Sequence, residues 1–84
     1  MSEELLFNLD KLHTTELGDE RIKRNLGLNT DDTVFWCKQV ITDESCRIER
    51  KGKNWYARKE DVEITVNVHS YTIITAHKIK ENKK

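Results

Sequence analysis

The clearest periodic stretch of the chain is "VEITVNV", in which Val62, Ile64, Val66 and Val68 alternate with Glu63, Thr65 and Asn67. Period-two alternation is the mark of a strand with one buried and one exposed face. Three neighbouring segments read the same way. "CRIER" is a strand, "KGKN" is a hairpin turn in which Gly52 is free to take positive φ, and "WYARK" returns. "KED" turns the chain into "VEITVNV", and "HS" turns it into a last strand, "YTIITAHK". Connections this short make neighbouring strands antiparallel. Upstream the period is helical. Leu5, Leu9 and Leu12, with Leu6 beside them, follow a cap at Ser2 and the acidic Glu3 and Glu4. "HTT" breaks this pattern. Thr14 or Thr15 then caps a second helix carrying Leu17, Ile22 and Leu26, and Gly27 supplies a left-handed stop. "NTDD" caps a third, with Val34, Cys37 and Ile41 on one face and Trp36 and Val40 beside it, ending at Thr42-Asp43. The pattern predicts an α+β domain. Two to three N-terminal helices pack on one face of a four-stranded antiparallel meander, with helices over about 2–42, the sheet over about 45–78, and a basic tail at 79–84.

Parity assigns the faces. Val62, Ile64, Val66 and Val68 belong under the helices, and Ile48, Trp55, Ala57, Ile74 and Ala76 join them. The uncovered face receives Arg47, Glu49, Tyr56, Arg58, Thr65, Asn67, Tyr71, Thr75 and His77. On the last strand this groups Tyr71, Ile73, Thr75 and His77. A one-residue slip would move a whole strand's set across.

The 84 residues suit one domain with a thin core, since a chain this short buries only roughly 60–65% of its unfolded surface. Hydrophobic and charged residues each make up 36%, and the formal net charge is zero, which disfavours indiscriminate binding to nucleic acid. The charges nonetheless segregate. "RIERKGKNWYARK" is dominated by Lys and Arg with Glu49 its one acid, and "KIKENKK" holds four lysines against one Glu. Two cysteines, Cys37 and Cys46, without CxxC spacing favour a reduced pair over a disulfide or zinc scaffold. With no signal-peptide pattern and no membrane-length apolar run, the expectation is a cytoplasmic protein that needs no cofactor.

A polar uncovered face is ordinarily a solvated one. The residue types here suit something more specific. Arginine binds phosphate bidentately, tyrosine stacks on bases, and histidine is the usual acid or base near neutral pH. Such a surface can bind RNA and cleave it without metal. A base takes the ribose 2′-OH proton, an acid protonates the leaving 5′ oxygen, and a cation holds the phosphorane charge. His77 fits the acid or base, Arg58 or Arg47 the clamp, and Thr75 or Tyr71 a hydrogen-bond donor. His13, at a helix junction, reads either as bonded to backbone carbonyls at the end of the first helix, a structural role, or as lining the edge of the sheet, the first reading being the favoured one. His69 reads as solvent-facing, and the Arg21–Arg24 face of the second helix as solvated, with a Glu20–Arg24 pair. A metal-binding regulator using His13, Cys37, Cys46, His69 and His77 has no ligand spacing to support it.

"DKLHTTELGDERIKRNLGL", "FWCK", "RKGKNWYA" and "ITVNVHSYTIITAHK" resemble a family of small bacterial proteins described only as a domain of unknown function. The helical start with a His and an "RIK" segment, and the meander ending in "TIITAHK", are also similar to the barnase/RelE-like ribonuclease toxins. That second resemblance implies metal-independent RNA cleavage by His13, Arg58, Thr75 and His77, with Arg50 or Lys53 near the first hairpin. Arg47, Tyr56, Asn67 and Tyr71 would add RNA contacts. The expected function is therefore an RNA-binding or ribonuclease-like, toxin-like protein with RNA and a cognate inhibitor as partners. The alternative is a non-enzymatic protein-binding module, such as an inhibitor or accessory factor of a mobile element, using "CRIER" as an acceptor edge.

Overall fold

The computed structural model describes residues 2–79; the capping expected of Ser2, the first-turn charge of Glu3 and the lysine-rich end of the tail lie outside the described residues and side chains. The elements run α1 (Ser2–Phe7), a 3-10 turn (Leu9–Lys11), α2 (Glu16–Leu26), α3 (Thr33–Ile41), β1 (Arg47–Lys51), β2 (Asn54–Lys59), β3 (Val62–Asn67) and β4 (Ile73–Lys78). This is the expected α+β arrangement, with a four-stranded antiparallel sheet in the order β1-β2-β3-β4.

The first helix is shorter than its leucine spacing predicts. Asn8 donates from Nδ2 to the Glu4 carbonyl at 2.8 Å, and such local side-chain bonds favour helix ends over helix interiors. The chain then tightens into the 3-10 turn and leaves it at Leu12 with ψ 135. Leu5 and Leu12 reach the core, whereas Leu6 and Phe7 are exposed.

Thr15 caps α2, its hydroxyl accepting from Gly18 N at 3.0 Å, and Gly27 ends it at φ 64. Ile22 and Leu26 are buried, but Leu17 is 71% exposed. Leu17 stands five residues before Ile22, well off its face; the position one turn before Ile22 is Gly18. A side chain there has no room, because a Cβ on Gly18 would collide with Thr14 Oγ1 and meet the Ile73 carbonyl at 3.6 Å. The start of α2 thus lies close against β4. The surface ion pair on α2 joins Asp19 to Lys23 at 3.4 Å, rather than Glu20 to Arg24. Asp32 caps α3, accepting from Phe35 N at 2.9 Å, and α3 buries Thr33, Cys37, Val40 and Ile41. The buried Thr33 hydroxyl donates to Asp19, tying α3 to α2.

After α3, Asp43 accepts from the Ser45 hydroxyl and backbone N and pairs with Lys59 Nζ at 3.1 Å. These bonds, Ser45's first, hold its carboxyl down to about 2. The two hairpins are tight. Lys51 faces Asn54 across Gly52-Lys53, and Lys59 faces Val62 across Glu60-Asp61. Both turns place positive φ at their first residue, Gly52 at 60 and Glu60 at 55.

Trp55, Ala57, Ile64, Val66, Val68 and Ala76 lie in the core, as parity requires. The last strand departs from simple alternation. Thr65 pairs with Thr75 but Val66 pairs with Ile73, so a bulge places Ile74 outside the ladder. The expected set is divided. Ile73 turns into the core at 1% exposure, and Ile74, expected inside, is 39% exposed. Tyr71, at φ 59, lies against the buried Trp55 ring at a centroid distance of 5.4 Å instead of on the open face. Ala76, beyond the bulge, points inward as expected.

Identical truncations on the two sides of this bulge should diverge. Ile73→Val should cost about 1 kcal/mol in urea unfolding and Ile74→Val almost nothing; equal losses would be incompatible with the bulge. The two free cysteines should diverge too. Burial pushes the Cys37 thiol up to about 12, while Cys46 is half-buried. Near pH 8 a thiol reagent should therefore modify Cys46 first and Cys37 only on unfolding, as mass spectrometry of the labelled protein would show. Through linkage, Cys37 should lower stability progressively as pH rises from its unfolded value near 9 toward 12, because only the unfolded chain ionises there.

Candidate functional site

The two hairpins arrange the uncovered face in rows across the strands. One row is Arg47, Arg58, Glu63 and His77, each directly opposite the next. A second is Glu49, Tyr56, Thr65 and Thr75, and a third Lys51, Asn54 and Asn67.

The first row concentrates the chemistry. Glu63 uses its two carboxylate oxygens separately: Oε2 accepts from Arg58 Nε at 2.8 Å, and Oε1 lies 3.5 Å from His77 Nε2. The Glu63 side chain is 13% exposed, against 57% for Arg58 and 43% for His77. A largely sheltered carboxylate therefore sits between two accessible nitrogen groups. Glu63, first by its hydrogen bond and then by its charge, pushes the Arg58 pKa above its ordinary value. Only Nε of that guanidinium is engaged among the described residues, leaving its terminal amines available to a ligand.

A groove of about 400 Å³ opens beside this row, lined by Arg47, Ile48, Glu49, Tyr56 and Arg58. A further depression of about 260 Å³ reaches Lys51 and Glu63. Asn54 Nδ2 donates to the Tyr56 hydroxyl at 3.4 Å. On β4, Asn25 of α2 reaches Thr75 Oγ1 at 3.5 Å and the Ala76 carbonyl at 3.3 Å.

Of the residues singled out in the sequence, Arg47, Arg58, Tyr56, Thr75 and His77 share this face. Asn67 is on it at the far row, but its Oδ1 accepts from His69 N, Ser70 N and Ser70 Oγ, which closes the β3–β4 turn. Tyr71 is displaced to the core side by the turn and bulge. Arg50 alternates to the other side, opposite Trp55, and donates from Nε to the Gly52 carbonyl at 3.2 Å. Lys53 occupies the hairpin turn.

His13 belongs to a different place. Its backbone pairs with the start of β4, His13 N donating to the Tyr71 carbonyl and Ile73 N to the His13 carbonyl. Its ring is held between the Lys11 carbonyl at Nδ1 and Thr72 Oγ1 at Nε2, each at 3.0 Å. Since a carbonyl only accepts, Nδ1 carries a hydrogen, and the neutral ring accepts from Thr72 at Nε2. From Thr72 to His77 the strand runs roughly 16 Å at about 3.3 Å per residue, too far for the two imidazoles to act on one group.

Glu63 is the residue that sequence reasoning passed over. Its signal was available: a two-residue turn at Glu60-Asp61 places Arg58 directly opposite Glu63, an attractive cross-strand pair. Among the described residues no three His, Cys, Asp or Glu side chains gather as metal ligands, and no helix is long and apolar enough to cross a membrane.

The family described as "Protein of unknown function (DUF3781)" matches residues 6–77, which takes in every element that builds this face. The chain belongs to the DUF3781 family. No curated protein and no solved structure matches it.

The position of His13 in this DUF3781 chain yields a direct expectation. His13→Ala should lower stability by about 1 kcal/mol through the loss of its side-chain bonds, read from the urea midpoint. The NMR shifts of the His77 ring should stay unchanged; a shift there would show the two histidines to be coupled.

Proposed function

We propose that the open sheet face binds RNA and that its first row supports metal-independent phosphodiester cleavage. The observation that carries this reading is the cross-strand row in which Glu63 lies between Arg58 and His77. A carboxylate, an imidazole and a guanidinium are the groups such a cleavage requires, and here they meet on an accessible surface beside a groove. Glu63 takes the proton of the ribose 2′-OH as that oxygen bonds to the adjacent phosphorus. His77 protonates the 5′ oxygen as the P–O5′ bond breaks, leaving a 2′,3′-cyclic phosphate and a free 5′-OH. The substrate enters by replacing the 3.5 Å contact between Glu63 and His77. The free amines of Arg58, with Arg47 next to it in the row, neutralise the oxygens of the phosphorane. Tyr56 lines the groove beside this row, and Thr75 stands two residues before His77 in the neighbouring row. His13 stands outside this centre, and so do Arg50, Lys53 and Tyr71.

A toxin-like role for such an enzyme would bring a cognate inhibitor as partner. The other reading, a non-enzymatic protein-binding module, draws on β1 as an edge of the sheet. Arg47, Arg50 and Lys51 crowd that strand, and charge on an edge discourages the addition of a partner strand.

Purified protein should cleave single-stranded RNA in the presence of EDTA, with cyclic-phosphate ends detectable by mass spectrometry. His77→Ala and Glu63→Gln should each lower the rate by about 10²–10⁴-fold. Background cleavage alone, equal in wild type and His77→Ala, would remove the enzymatic claim. A salt-sensitive electrophoretic shift lost in Arg58→Ala would then still support binding.

A further inference from the structure

We propose that Ser70 is a nucleophile toward small activated esters, deprotonated along a hydrogen-bonded path that runs over Thr72 to the imidazole of His13. This site stands apart from the open sheet face and does not depend on the RNA reading.

The direction of the hydrogens defines the path. His13 Nδ1 donates to the Lys11 carbonyl at 3.0 Å, so the neutral ring has its lone pair at Nε2, which lies 3.0 Å from Thr72 Oγ1. That lone pair takes the Thr72 hydrogen. Thr72 has no second hydrogen to give, so its 2.7 Å contact with Ser70 Oγ is a bond donated by Ser70. Asn67 Oδ1 is the other acceptor within reach of Ser70 Oγ, and it is farther, at 3.2 Å. The hydrogens therefore point one way, from Ser70 to Thr72 to His13. An activated hydroxyl has these parts: a nucleophile bonded toward a base, and a base oriented by a third group.

Backbone bonds hold each member in place. His13 N donates to the Tyr71 carbonyl and Ile73 N to the His13 carbonyl, which fixes Thr72 beside His13. Asn67 Oδ1 accepts from His69 N and Ser70 N, which fixes Ser70 in the turn. Ser70 is exposed and Thr72 half-buried, so a substrate can reach the serine while the middle of the path is partly screened from water. Lys11 Nζ lies over the Tyr71 ring, 5.5 Å from its centroid, and brings a positive charge to the residue after Ser70. Closing the turn needs only Asn67 and the backbone donors. It gives no reason for the Ser70 hydroxyl to be joined to an imidazole of fixed tautomer.

In the reaction, Ser70 Oγ bonds to the ester carbonyl carbon as its hydrogen passes to Thr72 Oγ1 and the Thr72 hydrogen passes to His13 Nε2. The carbonyl oxygen becomes negative, and Lys11 is the cation at hand to balance it. As the C–O bond to the leaving alcohol breaks, the imidazolium returns its proton through Thr72 to the departing oxygen. Water then attacks the acyl-serine by the same path, releasing the acid and restoring Ser70. So open a turn has little binding energy to draw on, which confines the substrate class to esters with good leaving groups, such as aryl esters.

The test is to incubate the full chain with p-nitrophenyl acetate and locate the acetyl group by peptide mass spectrometry. Ser70 should carry it in the wild type, and Ser70→Ala should lack it there. Thr72→Val keeps the shape but removes the hydroxyl, and should slow acetylation of Ser70 by about 10²-fold, the low end of what a positioned base contributes. Thr72→Ser should restore the rate to within a few-fold, which a purely structural role would not explain. His13→Ala should match Thr72→Val, and the double variant should be no slower, since both act in one path. Urea midpoints establish that the variants compared are folded. Acetyl groups on lysines and imidazoles with Ser70 left free in the wild type overturn the proposal. So does acetylation of Ser70 at the same rate in Thr72→Val.

Discussion

Two tight turns set the register on which both sides of this sheet depend. With only Gly52-Lys53 and Glu60-Asp61 between paired ends, β1, β2 and β3 have no freedom to slide. Under that register Trp55, Ala57, Ile64 and Val66 meet the helices, and Arg58, Glu63, Tyr56 and Thr65 meet each other on the far side. A slip of one residue would expose the first set and bury the second, at a cost of several buried apolar side chains. The burial of the core therefore holds the Arg58–Glu63–His77 row in alignment, although no residue of that row is itself in the core. Glu60 accepts a positive φ to close its turn, a conformation of the sort for which Gly52 is suited.

The fourth strand answers to a different requirement. Its outer side is met by α2, which comes close because position 18 has no side chain, and the Thr14 hydroxyl donates to the Ile73 carbonyl at 2.9 Å. His13 adds a short parallel bridge at Thr72. An edge strand covered in this way cannot recruit another chain along its length. The bulge at Ile74 reconciles this edge with the core. It lets Ile73 and Ala76 both point inward, three positions apart, while Thr75 and His77 remain on the open face.

What could be read from the chain follows from how local each signal is. Helix caps at Thr15 and Asp32, the stop at Gly27 and the hairpin at Gly52 are local, and the structure has them all. The α+β class and the meander order follow from periods and short connections. The strict alternation of β3 placed its inward set correctly, but Thr65, expected on the uncovered face, is buried at 6% exposure between Tyr56 and Thr75 of the neighbouring strands. Ile73, Ile74 and Tyr71 were placed by extending alternation through a segment in which the ladder takes up an extra residue. A bulge is specified by packing against neighbouring strands and leaves little trace in composition. Leu17 was expected inside by hydrophobicity, but the close approach of α2 to β4 reserved the inward position for Gly18. In the candidate site, the arginines, Tyr56, Thr75 and His77 were legible by residue type. Glu63 is legible only through the register of the turn at Glu60-Asp61, which sets it opposite Arg58, and not by residue type alone.

The first row also differs from the core in how it can be altered. Arg58 and His77 are largely solvated, and exposed ion pairs of this kind contribute little to folding. The opposite face supplies the buried apolar surface that holds the sheet on its helices. A change of Glu63 or His77 should therefore leave the register intact and remove only what the row does. Zero net charge is compatible with that division. The acids on this face, Glu49 and Glu63, stand directly among its arginines, so the surface offers alternating sites for donors and acceptors instead of a uniform positive field. Any ligand of such a surface would have to match groups at fixed spacing, whereas a uniformly basic one would take any polyanion.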